Sequence, residues 1–228
     1  MIKISVWTKV ARTEKELLDV FRVRYEVFVK EEQYLDEKLY PDGLEKDEYD
    51  ELDITTNFIT YVDGKPAGTH RLIRDSPRGF TMDRYVDLSE LRKKSKSLVE
   101  TSRYTVLPEF RGRREVWAGL LKISINYSVM HGFTDACQLV NLDYMGEDRH
   151  CAVMIMKRVG GKAIGEKIWF DKFNVYALPM HLKGEYIKEP FISLCREECN
   201  TVEPPFNKID RKWLDQYDDE TKAFIQYL

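Results

Sequence analysis

The sequence predicts an α/β (α+β) domain built on a mixed, mostly antiparallel central sheet flanked by helices, with a bulged or splayed central strand. Three observations predict it. Segments with period-2 alternation interleave with segments of helical spacing along the chain. Two strand-like segments meet at Asp63-Gly64, a hairpin signal, so part of the sheet is antiparallel. The strand-like run Leu98 to Val106 carries Glu100 and Arg103 three apart, a spacing that a regular strand splits between its faces.

In chain order, Ile2 to Trp7 alternates like a half-buried strand. Thr13-Glu-Lys-Glu16 matches a capping box, which satisfies the free amides of a helix start. The helix that follows carries Leu17, Val20, Phe21, Arg24, Val27 and Phe28 at helical spacing. Glu31 to Asp53 is acidic and aperiodic, so a long ordered loop with short helical pieces is expected. Asn57 to Asp63 and Lys65 to Arg74 are the hairpin strands. Leu88 to Lys96 reads as a short basic helix and Leu98 to Val106 as a strand. Glu115 to His131 is an amphipathic helix stopped by Gly132. Phe133 to Leu142 is a strand. Arg149 to Val159 is a helix ended by Gly160-Gly161, and Ile164 to Met180 holds one or two strands in a hairpin. A further helix is expected near Arg211 to Leu228. The expected division is one domain over 1–182 and a C-terminal extension over 183–228, helical and packed on the same domain.

The 228 residues include 36 Lys and Arg against 39 Asp and Glu, a formal net charge of −3, which argues against a nucleic-acid partner. Glu31 to Asp53 alone contributes −9, so the remainder is about +6. The N-terminus has no signal-peptide pattern, and no apolar run is long enough for stable membrane insertion, so the expected location is cytoplasmic. Cys137, Cys151, Cys195 and Cys199 read as reduced thiols. Cys195 and Cys199 lack a second Cys or His pair at zinc-ligand spacing, so no metal is expected.

Three features exceed what packing requires. Arg24 falls on the helix face expected to be buried, where it either snorkels to the edge or meets an acidic partner. Glu100 and Arg103 interrupt a β-forming run, either as a structural ion pair or through a β-bulge that brings both to one face. Arg111-Gly-Arg-Arg114 precedes a helix, either as a solvated basic turn or as a phosphate site.

Arg24-Tyr-Glu-Val-Phe28 with Tyr34, Asp47-Glu-Tyr-Asp50, Gly68-Thr-His-Arg71-Leu and Glu100-Thr-Ser-Arg103-Tyr follow one another in an order and spacing that resemble a known family. The pieces look like the autoinducer synthases that make acyl-homoserine lactones, the signals of quorum sensing, and the related long-chain N-acyl amino acid synthases. Both have the GNAT acyltransferase fold. The resemblance spans roughly residues 1–180. Those synthases usually carry Trp where Tyr34 stands and a basic or amide residue where Glu31 stands, and the general GNAT phosphate loop is not matched at Arg111 to Val116.

The resemblance implies an N-acyltransferase that moves an acyl group from a thioester to a primary amine. The thioester is a co-substrate, acyl carrier protein phosphopantetheine or acyl-coenzyme A, and no bound cofactor is implied. The acceptor is an amino acid or S-adenosylmethionine. Glu100 is the candidate base and Arg103 orients the acceptor or adds positive charge. Backbone amides near Tyr104 and Thr105 serve the oxyanion. Arg24, Asp47, Asp50 and Arg71 are expected to order the acidic loop, with the acidic pair either Asp47/Asp50 or Asp50/Asp53. Phe28, Tyr34 and Ser102 are expected against the substrates. Arg111, Arg113 and Arg114, with Lys93, Lys94 and Lys96, are expected on the donor side, where a basic patch steers an acidic carrier. The rival readings are an acetyl-coenzyme A acetyltransferase and a non-catalytic thioester-binding module, in which Glu100 faces packed protein instead of a cleft.

Overall fold

The computed structural model describes residues 5–143, 145–148 and 152–184. Its strands are β1 (Val6–Val10), β2 (Thr55–Val62), β3 (Lys65–Arg74), β4 (Leu98–Val106), β5 (Asp135–Asn141), β6 (Lys162–Ala163), β7 (Ile168–Phe170) and β8 (Val175–Lys183). Its α-helices are α1 (Glu14–Arg24), α2 (Ser89–Lys94), α3 (Arg114–Met130) and α4 (Ala152–Val159). The strands form one sheet of order β1-β2-β3-β4-β5-β8-β6, with β7 also on β8. Every pair is antiparallel except β4 with β5.

Most elements lie where the sequence puts them. Thr13 and Glu16 form the capping box at α1, and Asp63 and Gly64 take φ of 48° and 78°, the doubly positive pair a tight hairpin turn needs. The first strand is a correction. It runs Val6–Val10 instead of Ile2 to Trp7, of which 1–4 lie outside the described residues. Thr8, just past the expected end, is buried, and its hydroxyl is hydrogen-bonded to that of Thr60 at 2.8 Å. Pairing the hydroxyl removes the cost of burying it. The expected break at residue 182/183 falls inside β8. The expected C-terminal helix, Cys151, Cys195 and Cys199 lie outside the described residues.

Alternation along β2 assigns the two faces. Phe58 packs with Leu120 and Ile123 of α3, whereas Ile59 packs with Val20 and Phe21 of α1. The two helices therefore cover opposite faces. On β3, Leu72 lies on the α3 face and Arg71 reaches the acidic loop on the α1 face. After Arg24 the helix continues as a wider π-helical stretch, Tyr25–Glu31, with Glu32 N–H bonded to Val27 O at 2.8 Å. Such widened turns redirect side chains and recur at functional sites. Here it places Val27 and Phe28 in the core that also holds Phe173.

Two irregularities shape the centre of the sheet. β3 pairs with β4 through Arg71–Ser102 and then Thr69–Thr105, so β4 carries one extra residue, and Arg103 takes φ 55°. A left-handed non-glycine residue costs about 1–2 kcal/mol, so its contacts must hold it there. Secondly, β4 and β5 pair only over Leu98–Asp135, Val99–Ala136 and Glu100–Cys137. Beyond that point the strands part.

Gly68 marks where β3 meets the end of β4. A Cβ there would lie 2.9 Å from Thr105 O and 3.1 Å from a Leu120 methyl. Gly68→Ala must therefore push β4 or α3 outward. The expected cost is about 1–3 kcal/mol, as for an overpacked core, or about 2–4 °C in Tm per kcal/mol. A melting temperature equal to that of the parent protein would show that β3 and β4 do not need this close approach.

Candidate active site

Three arginines from three elements converge on the α1 face. Arg24 from α1 donates to both oxygens of Asp50 at 2.9 and 3.1 Å and also to Asn57. Arg71 from β3 bonds Asp47 at 2.6 and 3.2 Å, Asp50 at 3.1 Å and Ser102 Oγ at 3.1 Å. Arg103, turned to the same face by the bulge, bonds Glu45 at 3.1 and 3.2 Å and Asp47 at 2.9 Å. Lys172 adds a contact to Asp47 at 2.8 Å. The side chains of Arg24, Arg71, Glu45 and Asp50 are fully buried. Isolated charges could not be buried this way; mutual pairing and shared hydrogen bonds make it possible.

Burial alone would raise the Asp50 carboxyl, but the charges of Arg24 and Arg71 override it and hold it at about 2. Asp47 is likewise held far below the ordinary carboxylate range, by Arg71 and Arg103 acting against burial. The cluster therefore holds Glu45, Asp47 and Asp50 against four cations, an excess of positive charge beside the cavity described next.

The gap between β4 and β5 opens into a cavity of about 690 Å³ that passes from one face of the sheet to the other. Phe28, Tyr34 and Phe173 line its α1 side, and Leu121, Ile125 and Val129 of α3 line the other. Phe173 meets Phe28 edge-on at 5.4 Å and stacks on the Arg103 guanidinium at 4.7 Å, so one ring ties the charged network to the apolar wall. Residues 99–106 of β4 line the cavity throughout. Because β5 leaves β4 beyond Glu100, that stretch of the β4 edge lacks a ladder partner among the described residues.

Glu100 is 2% exposed, yet lines this cavity rather than facing packed protein alone. Its carboxylate accepts from the Thr81 hydroxyl and from Met82 N–H at 3.2 Å. Burial pushes its pKa up, while Thr81, the Arg71 charge and the Met82 amide pull it part of the way back. A carboxylate raised in this manner is a better proton acceptor than a solvated one.

Of the expected site residues, Phe28, Tyr34, Glu100, Ser102, Arg103, Tyr104 and Thr105 line this cavity, while Arg24, Asp47, Asp50 and Arg71 form the ion-pair network joined to it through Ser102 and Arg103. The structure decides the acidic pair as Asp47/Asp50. Among the described residues the exposed Asp53 contributes only its carbonyl, to Arg74 at 2.9 Å. The Tyr104 side chain lies on the α3 side of the cavity, with its hydroxyl bonded to Trp117 O. The donor-side arginines are less close-knit. Arg111 lines the cavity but spends both terminal nitrogens on Glu31 at 2.6 Å. Arg113 is the residue before α3, and Arg114 opens that helix exposed. Lys94 and Lys96 lie at the cavity rim, and Lys93 pairs with Glu90.

Glu45, Asn57, Thr81 and Lys172 belong to the site and were not singled out in the sequence. Glu45 is one acidic residue among eleven in an aperiodic stretch. Lys172 reaches Asp47 across 125 residues of chain. No local pattern carries either.

Residues 19–183 match the family model described as N-acyl amino acid synthase FeeM. No curated protein matches the sequence. Among solved structures, FeeM, an N-acyl amino acid synthase from uncultured soil microbes, is similar with TM-score 0.66 and 18% identity, over 85% of this chain and 95% of that one. BjaI, a CoA-dependent acyl-homoserine lactone synthase solved with SAM and isopentyl-CoA, is similar with TM-score 0.65 and 17% identity, over 98% and 100%. The acyl-homoserine lactone synthase LasI follows with TM-score 0.55 and 17% identity, over 79% and 90%. At such identities the structural likeness is one of fold.

The network makes a testable demand. Asp50→Asn leaves Arg24 short of its partner in a dry site, an expected loss of about 3–5 kcal/mol at pH 7. Asp53→Asn, at an exposed carboxylate, is expected within about 0.5 kcal/mol of the parent. Asp50 is depressed on folding from about 3.9 to about 2, so its stabilisation is present above pH 4 and is lost as pH falls through 2. The gap between parent and Asp50→Asn should narrow over that window in denaturant titrations. A gap that stayed constant, or equal losses at the two positions, would remove Asp50 from the network's centre.

Proposed function

This chain belongs to the FeeM family of N-acyl amino acid synthases, and from that premise we propose that it joins a long acyl chain, delivered as a thioester on acyl carrier protein, to the amine of an amino acid. As a family member it is an amide-forming acyltransferase. The observation that supports the finer reading is the cavity between β4 and β5, apolar along α3 and charged where β4 bulges. Its volume lies in the range of pockets that enclose whole small molecules. An acetyl group needs no such length of apolar wall.

In this reading the thioester lies along the unpaired edge of β4, where amides of a pantetheine arm can bond as an added strand. The acyl chain runs past Leu121, Ile125 and Val129. The acceptor sits on the α1 side among Phe28, Tyr34, Glu100 and Arg103, with its loop tied down by Asp47 and Asp50. Glu100 takes the proton as the amine attacks, directly or through one water. Amides at Tyr104 and Thr105 in the bulge meet the oxyanion. The carrier approaches over the basic rim of Lys94, Lys96, Arg113 and Arg114, where an acidic surface is steered.

The direct test offers acyl carrier protein and coenzyme A thioesters of graded length to the purified protein, with amino acids or S-adenosylmethionine, and identifies products by mass spectrometry. N-acyl amino acids from the carrier thioester are expected. Each two-carbon shortening should lower kcat/KM by up to about fifteenfold, since a buried CH₂ contributes about 0.8 kcal/mol. A homoserine lactone product, a preference for the coenzyme A thioester, or indifference to chain length would overturn the corresponding part of the reading.

Glu100→Gln keeps the shape of the carboxylate and removes its basicity. Amide formation is expected to fall about 10²-fold or more, with the thermal midpoint little changed. Undiminished turnover would take the base role away from Glu100.

A further inference from the structure

Within Gly68-Thr-His-Arg71-Leu, His70 has no part in the scheme above. It lies on β3 opposite Phe58, with ring centroids 5.9 Å apart, and Tyr104 meets its ring at 5.1 Å. It is 3% exposed, on the α3 face of the sheet, opposite to its neighbour Arg71. It lines the same cavity, beside the β4 bulge. Among the described residues its buried Nδ1 has no hydrogen-bond partner.

A neutral imidazole carries one N–H and one bare nitrogen. Burying an unpaired N–H costs more than burying an under-used acceptor. The cheaper tautomer leaves Nδ1 bare and puts the proton on Nε2, the other nitrogen of a ring that lines the cavity. We propose that the Nε2–H of His70 donates a hydrogen bond to the thioester carbonyl oxygen of the bound acyl donor, polarising it for attack from the α1 side. This rests on the acyl-transfer reading of the same cavity.

Burial and the nearby Arg24 charge hold the His70 pKa down at about 3. The ring therefore stays neutral at working pH and is a poor proton acceptor, which suits a donor and not a base. Neutral histidines of depressed pKa polarise carbonyls in this way elsewhere. No proton leaves His70. The C–N bond forms as the amine proton passes to Glu100, the C–S bond breaks, and the thiolate leaves and takes that proton. Attack from one face of the sheet and carbonyl polarisation from the other match a cavity that passes through it.

The test compares His70→Phe, His70→Gln and His70→Asn by steady-state kinetics and by infrared difference spectra of a thioester with ¹³C at its carbonyl, bound without acceptor. A Gln amide reaches the position of Nε2, whereas an Asn amide reaches only that of Nδ1. His70→Phe and His70→Asn are expected to lose about 10²-fold in kcat, with the donor KM within threefold. Their bound carbonyl stretch should move to higher wavenumber. His70→Gln should keep the parent stretch and regain at least tenfold of the lost kcat. Should the Phe variant fail to fold, the Gln and Asn pair still decides. Equal kinetics and equal stretches for that pair would overturn the role, as would an unchanged kcat in any folded variant lacking the donor. A parent protein that forms no amide from any thioester would instead refute the acyl-transfer reading.

Discussion

Arg24, Arg71 and Arg103 come from a helix and two strands, and all three end on Asp47 and its neighbours Glu45 and Asp50. Each guanidinium needs an anion because its site is dry, and each carboxylate needs a cation for the same reason. This mutual requirement orders the acidic segment, which has no apolar periodicity to fold it otherwise. It also fastens that segment across α1, β3 and β4, the elements that bound the cavity. Arg111 with Glu31 repeats the arrangement at the rim, joining the start of the acidic segment to the loop before α3. There the pair is partly exposed and contributes less.

The bulge in β4 belongs to the same constraint. Without it, Arg103 would face α3 and leave Glu45 and Asp47 short of a cation. The left-handed backbone at Arg103 costs energy, which the pairs to Glu45 and Asp47 and the stacking on Phe173 offset. One extra residue thus turns a charge to the α1 face and leaves Tyr104 on the other, against His70 and Trp117. The parting of β5 from β4 just beyond Glu100 does the rest. It exposes a strand edge between two faces, with charge on one side and α3 side chains on the other.

Much of this was legible in the sequence, for reasons that can be named. The capping box, the Asp63-Gly64 turn, Gly132 and Gly160 act through their nearest neighbours, so they read locally. Arg24, Glu100 and Arg103 stood out because they break a pattern that burial should have kept apolar. The ordered set of motifs then pointed to a family whose model matches residues 19–183. Glu45 broke no pattern, since it lies in a stretch that had none. The expected first strand stopped at Trp7, short of the polar Thr8, because the hydroxyl that pairs with Thr8 belongs to Thr60.

What the sequence determined by itself, then, was the succession of elements, the hairpin, the anomaly in β4 and the class of chemistry. The first three depend on spacing or on residue type, and the class of chemistry on the resemblance of the ordered motifs to a known family. The tertiary structure decided which carboxylates meet which arginines, that Asp47 and not Asp53 accepts from Arg71, and that His70 lies bare-nitrogened against the cavity. It also decided that the cavity crosses the sheet. These depend on distances between residues far apart in the chain, such as Lys172 and Asp47. Such distances are set by how strands twist, bulge and part, and no local pattern of side chains encodes them.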